Sequence, residues 1–440
     1  MRPIVVLVAF ALAVALAVPA VLVAVHGITP SIGPPVLVTI DDPSLASGDW
    51  PMYGHDLWGT HFNSAETVVT NATVASLVEK WRFDGIGMFG TPAVALGTVY
   101  VSTMAGDIVA LDAVTGVHKW TTSTGHPMTA SPAVANGIVY ATDLGANATL
   151  WAFDTLTGRV LWHSLIDINA AGWGSPVVAG ALVLVGNSGG DDESGAIPHR
   201  GSVQAFDALT GTLVWRTYTV APGHKGGPVW TTPSVLDDLV YVGTGNSFDG
   251  IPDPGNTAIM AFSLTNGTLV WSTQFSDLGD EDFGASPTLW RTSTGLVLGE
   301  AQKNHYHALD PATGALLWSV PFPLNWWVIA TPAVAYGSIF ASGSAPPVDG
   351  SNVTDFSLSQ RDGSLRWEHT SKGSYSAAAV AGGVAFVPES TGVLHAYDTD
   401  TGAELWSVNL PTVTYSGAVV SHGLVYMGTA GGLVVYGLPA

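Results

Sequence analysis

The stretch ALDAVTGVHKW, residues 110–120, decides the fold because it returns along the chain. It recurs as AFDTLTGRVLW (152–162), AFDALTGTLVW (205–215), AFSLTNGTLVW (261–271), ALDPATGALLW (308–318) and AYDTDTGAELW (396–406), with a degraded copy, FSLSQRDGSLRW, at 356–367. Successive terminal Trp residues lie 42, 53, 56, 47, 49 and 39 positions apart. Repeats of that length with strand patterning signal a β-propeller, one blade per repeat. Each copy has an upstream half, such as TPAVALGTVYV (91–101) or SPAVANGIVYA (131–141). The unit therefore reads as strand, Gly turn, strand, acidic turn with Thr-Gly, and a strand carrying Trp.

The last copy, GAVVSHGLVYMGTAGGLVVYGL (417–438), stops without Thr-Gly or Trp. The missing strand stands at the other end, where LVEKWRF (77–83) carries Trp81 but has no upstream half. Joining the two predicts an all-β, eight-bladed propeller whose termini close the last blade and remove an open sheet edge. The repeated Trp is expected to pack between neighbouring blades. The Thr-Gly pair is expected to form a tight turn with Gly at positive φ. Neither is read as chemistry.

Composition removes several function classes. The chain has no Cys, which excludes disulfide frameworks, zinc-thiolate sites, iron–sulfur clusters and covalently attached c-type haem. A net charge of −21 argues against nucleic-acid binding. With 47% apolar residues the chain is not a disordered one. No Gly-rich phosphate loop follows a strand and opens a helix.

Residues 4–25 carry no charge. A secretory apolar core runs about 7–15 residues and a membrane span about 20, so the length favours an uncleaved N-terminal anchor helix. Val18-Pro19-Ala20 also offers a small-residue cleavage site. Residues 1–26 are read as signal peptide or membrane anchor, 27–48 as a Pro/Ser/Gly-rich linker, and 49–440 as the propeller. Both alternatives place the propeller outside the cytoplasm, secreted or held at the cell-surface membrane.

The repeat resembles the tryptophan-docking motif of the quinoprotein alcohol dehydrogenase-like propellers, from WPMYGHD (50–56) onward. Blades 3 to 5 depart most from the repeat, and four segments there are similar to the pyrroloquinoline quinone (PQQ) dehydrogenases, above all the polyvinyl-alcohol dehydrogenase type. They are VGNSGGDDESGAIPHRGSVQAFD (185–207), GGPVWTTPSVLDDLVYVGTGNSFDG (226–250), DEDFGASPTL (280–289) and AQKNHYHALD (301–310). The resemblance implies PQQ with Ca2+, a hard cation that takes oxygen ligands. Asn246 matches the family's amide ligand. The family's carboxylate ligand falls within Asp191-Asp192-Glu193, with Glu193 favoured and Asp191 second. Asp282 matches the base that takes the alcohol proton, with Asp280 and Glu281 expected to face solvent. Lys303 matches the cation beside the quinone oxygens. Trp230 lies outside the repeat set and matches the Trp that stacks on PQQ; Asn325 and Trp326, with Trp327, hold the equivalent place before blade 6.

The pattern also departs from the family. Thr129 and Trp173 stand where relatives place an Arg and a Thr on the cofactor's carboxylates. Gly284 stands where lanthanide-type relatives carry an extra Asp, which favours calcium. With no haem of its own, the chain would pass electrons to an external acceptor. Two functions follow as expectations: PQQ- and calcium-dependent oxidation of a small-molecule or polymer alcohol, or a cofactor-free propeller acting as a surface binding or assembly scaffold.

Overall fold

The computed structural model describes residues 42, 44–145, 147–168, 172–189, 199–275, 280, 282–322, 327–344 and 353–439. Among these, the strands form eight sheets: six are meanders of four in sequence order, the seventh gains a fifth strand and the eighth takes its outer strand from the N-terminal side. Blade 1 shows the rule: Ala93–Ala95, Thr98–Ser102, Asp107–Asp112 and His118–Ser123 run from the centre outward. The inner strands are apolar and buried throughout, as in a sheet covered on both faces, while the outer strand alternates exposed and buried residues. Blade 8 closes as the sequence predicts. Val78–Asp84 pairs antiparallel with Gly432–Gly437, with Trp81 opposite Val435. The expected N-terminal apolar helix lies outside the described residues.

The repeated Trp docks on the glycine of the next blade's turn. The indole N–H groups of Trp120, Trp162, Trp215 and Trp271 donate to the carbonyls of Thr155, Ala208, Leu264 and Pro311 at 2.9–3.2 Å. The glycine is needed twice over. It sits at φ +69° to +74° in seven turns, Gly116, Gly158, Gly211, Gly267, Gly314, Gly363 and Gly402. A Cβ on Gly211 would also lie 2.5 Å from Trp162 Cε3, and the other six would meet their Trp at 2.4–2.7 Å. The acidic residue locks the turn: Asp112 accepts from the Thr115 N–H and hydroxyl at 2.9 and 2.8 Å.

Two further devices hold the centre. Just before each inner strand, a backbone N–H donates to a hydroxyl of the next blade. The series runs Gly417 to Thr91, Thr91 to Ser131, Ser131 to Ser175, Ser175 to Thr232, Thr232 to Ser286 and Ser286 to Thr331, at 2.8–3.0 Å. It stops before blade 7, where Ala377 offers no hydroxyl. There the chain adds a strand instead, Phe62–Asn63, parallel to Ala379–Ala381. The segment 50–63 threads the central channel and supplies acceptors to the inner edges: Pro51 O to Val134 N–H, Leu57 O to Val235, Trp58 O to Leu289, Thr60 O to Val334 and His61 O to Val380, at 2.7–2.9 Å. These bonds satisfy backbone groups that an eight-bladed channel would otherwise leave unpaired.

Gly211→Ala should therefore lose roughly 3 kcal/mol of stability, combining a left-handed backbone with an overpacked indole contact. Gly97→Ala, at φ +67° with open space around it, should lose only about 1 kcal/mol. Denaturant melts of the two variants check the difference; equal losses would deny the close approach its role.

Candidate functional site

The departures from the repeat converge between blade 4, which begins at Ser234–Leu236, and blade 5, which begins at Thr288–Thr292. The blade 4 strand Leu239–Gly243 ends in Thr244-Gly245-Asn246. Gly245 lies beneath a converging set of groups. A Cβ there would meet Pro228 Cγ and Trp230 Cζ2 at 2.6 Å and Asp282 Oδ2 at 3.1 Å. The Trp230 indole is fixed by an N–H donated to Phe283 O at 3.0 Å.

Asp282 and Lys303 meet because three loops are stitched to one turn. Lys303 follows the strand Gly295–Gln302, whose last residue bridges Phe283. The Lys303 N–H donates to Asp282 O at 3.2 Å, and Val328 N–H donates to Lys303 O at 2.8 Å. The Lys303 ammonium then pairs with Asp282 Oδ1 at 2.6 Å and also with Asp280 Oδ1. It lies 4.9 Å from the Trp327 ring centroid. The side chains of Lys303 and Asp282 are 11% and 3% exposed, so this is a largely desolvated pair. Burial works against the ammonium, but Asp282 and Asp280 together hold its pKa above the ordinary lysine value.

Asp280 faces solvent as expected but also joins the cluster. Its side chain is 42% exposed yet it accepts from Lys303 and from Asn246 Nδ2, the latter at 3.1 Å. The geometry thus brings together Asn246, Asp282, Lys303 and Trp230, with Asp280 and Trp327 added. Glu193, Asp191, Glu281, Asn325 and Trp326 lie outside the described residues. Thr129 and Trp173 occupy the rim positions before the inner strands of blades 2 and 3, and the Thr129 hydroxyl is buried without a hydrogen-bond partner among the described residues. On the far side of the rim Phe89 and Tyr415 stack at 4.6 Å with planes 1° apart.

One acidic residue beneath the site escaped the sequence reading. Glu300 is 0% exposed, and neither carboxyl oxygen has a hydrogen-bond partner among the described residues. It packs against Gly243, where a Cβ would overlap Oε1. Across the ladder it faces His307, whose Nε2 pairs with Gln302 Oε1 at 2.8 Å. Burial pushes the Glu300 carboxyl well above its usual range and the His307 imidazole down to about 3, disfavouring the charged form of each. The signal was a lone acid inside the apolar run LVLGEA.

The family model described as outer membrane protein assembly factor BamB matches residues 53–192, 199–319, 255–372 and 349–439. The chain belongs to this family of PQQ-repeat propellers. Among curated proteins, it is 26% identical over 437 residues to the polyvinylalcohol dehydrogenase of Sphingopyxis sp. (strain 113P3), covering 80% of this chain and 66% of that protein. The chain thus spans slightly less than two thirds of that relative. Among solved structures, the quinohemoprotein alcohol dehydrogenase from Comamonas testosteroni superposes with a TM-score of 0.77 at 19% identity, covering 89% of this chain and 81% of the other. A europium-containing methanol dehydrogenase gives 0.78 at 19% identity, covering 89% and 98%. These structural likenesses show the propeller fold. The PQQ-repeat scaffold is therefore shared, and within this chain departures from the repeat gather between blades 4 and 5.

The buried acid gives a pH prediction. Glu300 binds its proton more tightly when folded, so its burden is absent at pH below the ordinary carboxylate range and grows as pH rises towards the folded-state pKa. Glu300→Gln should therefore raise the melting temperature more at pH 8 than at pH 4.5. An equal shift at both would mean that Glu300 does not titrate across that window.

Proposed function

We propose that the chain is a PQQ- and calcium-dependent dehydrogenase of alcohols. The observation that carries the reading is the convergence of Trp230, Asp282, Lys303 and Asn246 around Gly245. The donor set fits the group: two carboxylates and an amide oxygen are hard ligands suited to calcium, and a buried ammonium with a flat indole suits an anionic, planar quinone. Gly284 supports calcium over a lanthanide, because it offers no extra carboxylate at the place where lanthanide-type relatives carry one.

PQQ, when bound, supplies the two-electron oxidant, and the cation polarises it. The chain's residues do the rest. Asp282 accepts the proton of the alcohol hydroxyl; its burial keeps competing water away. Lys303 lies beside Asp282, where a desolvated ammonium would stabilise negative charge developing on a bound quinone. Asn246 and Asp280, with Glu193 or Asp191 on the blade 3 loop, would hold the cation. Trp230 forms the floor. The same reading includes export behind the apolar N-terminus, an external electron acceptor, and an alcohol that is either a small molecule or a polymer end.

A cofactor-free scaffold remains the second reading. It is favoured by Thr129 and Trp173 at the cofactor's carboxylate positions and by Lys303 already neutralising the acidic pair.

Thermal melting separates the two. A ligand at a hundredfold excess over Kd should stabilise by about 2.7 kcal/mol. Melting temperature should rise with PQQ plus CaCl2, with the rise reduced in Asn246→Ala. Asp282→Asn should keep the shift but lose alcohol-dependent dye reduction by about 10²–10⁴-fold. No shift at saturating ligand would favour the scaffold.

A further inference from the structure

We propose that Thr257 is a positioning residue that orients the Asn246 amide for a cation; this rests on the dehydrogenase reading above. Thr257 immediately precedes the blade 4 strand Ala258–Ser263. Blades 1, 7 and 4 share one turn at this place, each with a positive-φ residue that accepts a hydrogen bond from the end of the outer strand. Thr124 N–H donates to Gly106 O, Leu410 N–H to Gly392 O and Phe275 N–H to Thr257 O, at 2.8–2.9 Å. In blades 1 and 7 the turn residue is glycine at φ +89° and +97°; in blade 4 it is threonine at φ +49°. A β-branched residue in the left-handed region is an outlier that persists only where the surroundings hold it, and such residues gather at functional sites.

What the threonine contributes is its hydroxyl. Thr257 is fully buried, and Oγ1 donates to Asn246 Oδ1 at 3.4 Å. Its N–H donates to Gly245 O at 2.9 Å, tying it to the residue beneath Trp230 and Asp282. Asn246 Nδ2 donates to Asp280 at 3.1 Å. The amide is therefore fixed from both ends: a hydroxyl donor specifies the oxygen side and a carboxylate specifies the nitrogen side. A glycine, the sterically easy choice in blades 1 and 7, would leave the amide free to flip and offer nitrogen where a cation needs oxygen. Groups that orient a ligand commonly control metal affinity as strongly as a weak ligand does.

The test uses the full chain without quinone, titrated with Tb3+ while Trp-sensitised luminescence is read, then back-titrated with Ca2+. Thr257→Val and Thr257→Gly should bind Tb3+ on the order of tenfold more weakly, and Thr257→Ser should stay within about twofold of wild type. Thr257→Gly fits the backbone without strain, so its melting curve shows whether weakened binding is separate from misfolding. Wild-type affinity in both the Val and Gly variants would overturn the positioning role while leaving the cation site in place. A wild-type chain that takes up neither ion would overturn the cation reading and Thr257's role with it.

Discussion

The structure depends on one contact repeated around the ring: an indole laid against a glycine that has no Cβ and sits in the left-handed region. Because the approach leaves no room for a methyl group, each Trp fixes the distance and tilt of the next blade. At Trp120, Trp162, Trp215 and Trp271 the indole N–H and the neighbouring carbonyl add direction to what would otherwise be a slippery apolar contact. Closure then follows from sequence length. Seven turns receive a Trp from the preceding blade, and the first of them, at Gly116, receives Trp81 from the strand that completes blade 8. The hydroxyl series and the 50–63 segment do the same work at the centre, and they are complementary: where the hydroxyl is lost, at Ala377, a parallel strand takes over.

A scaffold this regular makes exceptions informative. Trp230 is an indole that docks on no turn glycine; it lies over Gly245 beside Asp282. Thr257 takes a conformation that two other blades assign to glycine. Glu300 places a carboxyl where its neighbours along the strand are apolar, and Lys303 is a cation in a position with little access to water. All four lie in blades 4 and 5. Repetition explains the propeller, and the departures from it mark the candidate site.

The fold was readable because it is periodic: the Trp spacing, the Thr-Gly turn and the split eighth blade are linear features of the chain. Asn246, Asp282, Lys303 and Trp230 were readable through resemblance, and the structure gathers them at one place. Other features were not readable for physical reasons. Asp280 looked like a solvated acid because its ion pair with Lys303 depends on how two loops meet. Thr257 is unremarkable in one dimension, since φ is not written in a sequence. Glu300 could be seen as an odd acid, but its lack of a partner among the described residues is a property of packing. The hydroxyl series was hidden inside the Ser-Pro and Thr-Pro pairs that had been read only as strand starts.

The most direct measurement is a crystal structure of the chain grown with PQQ and CaCl2. The account predicts planar density against the Trp230 indole, an ion on Asn246 and Lys303 drawn away from Asp282. A channel without such density, with Lys303 still paired to Asp280 and Asp282, would contradict it.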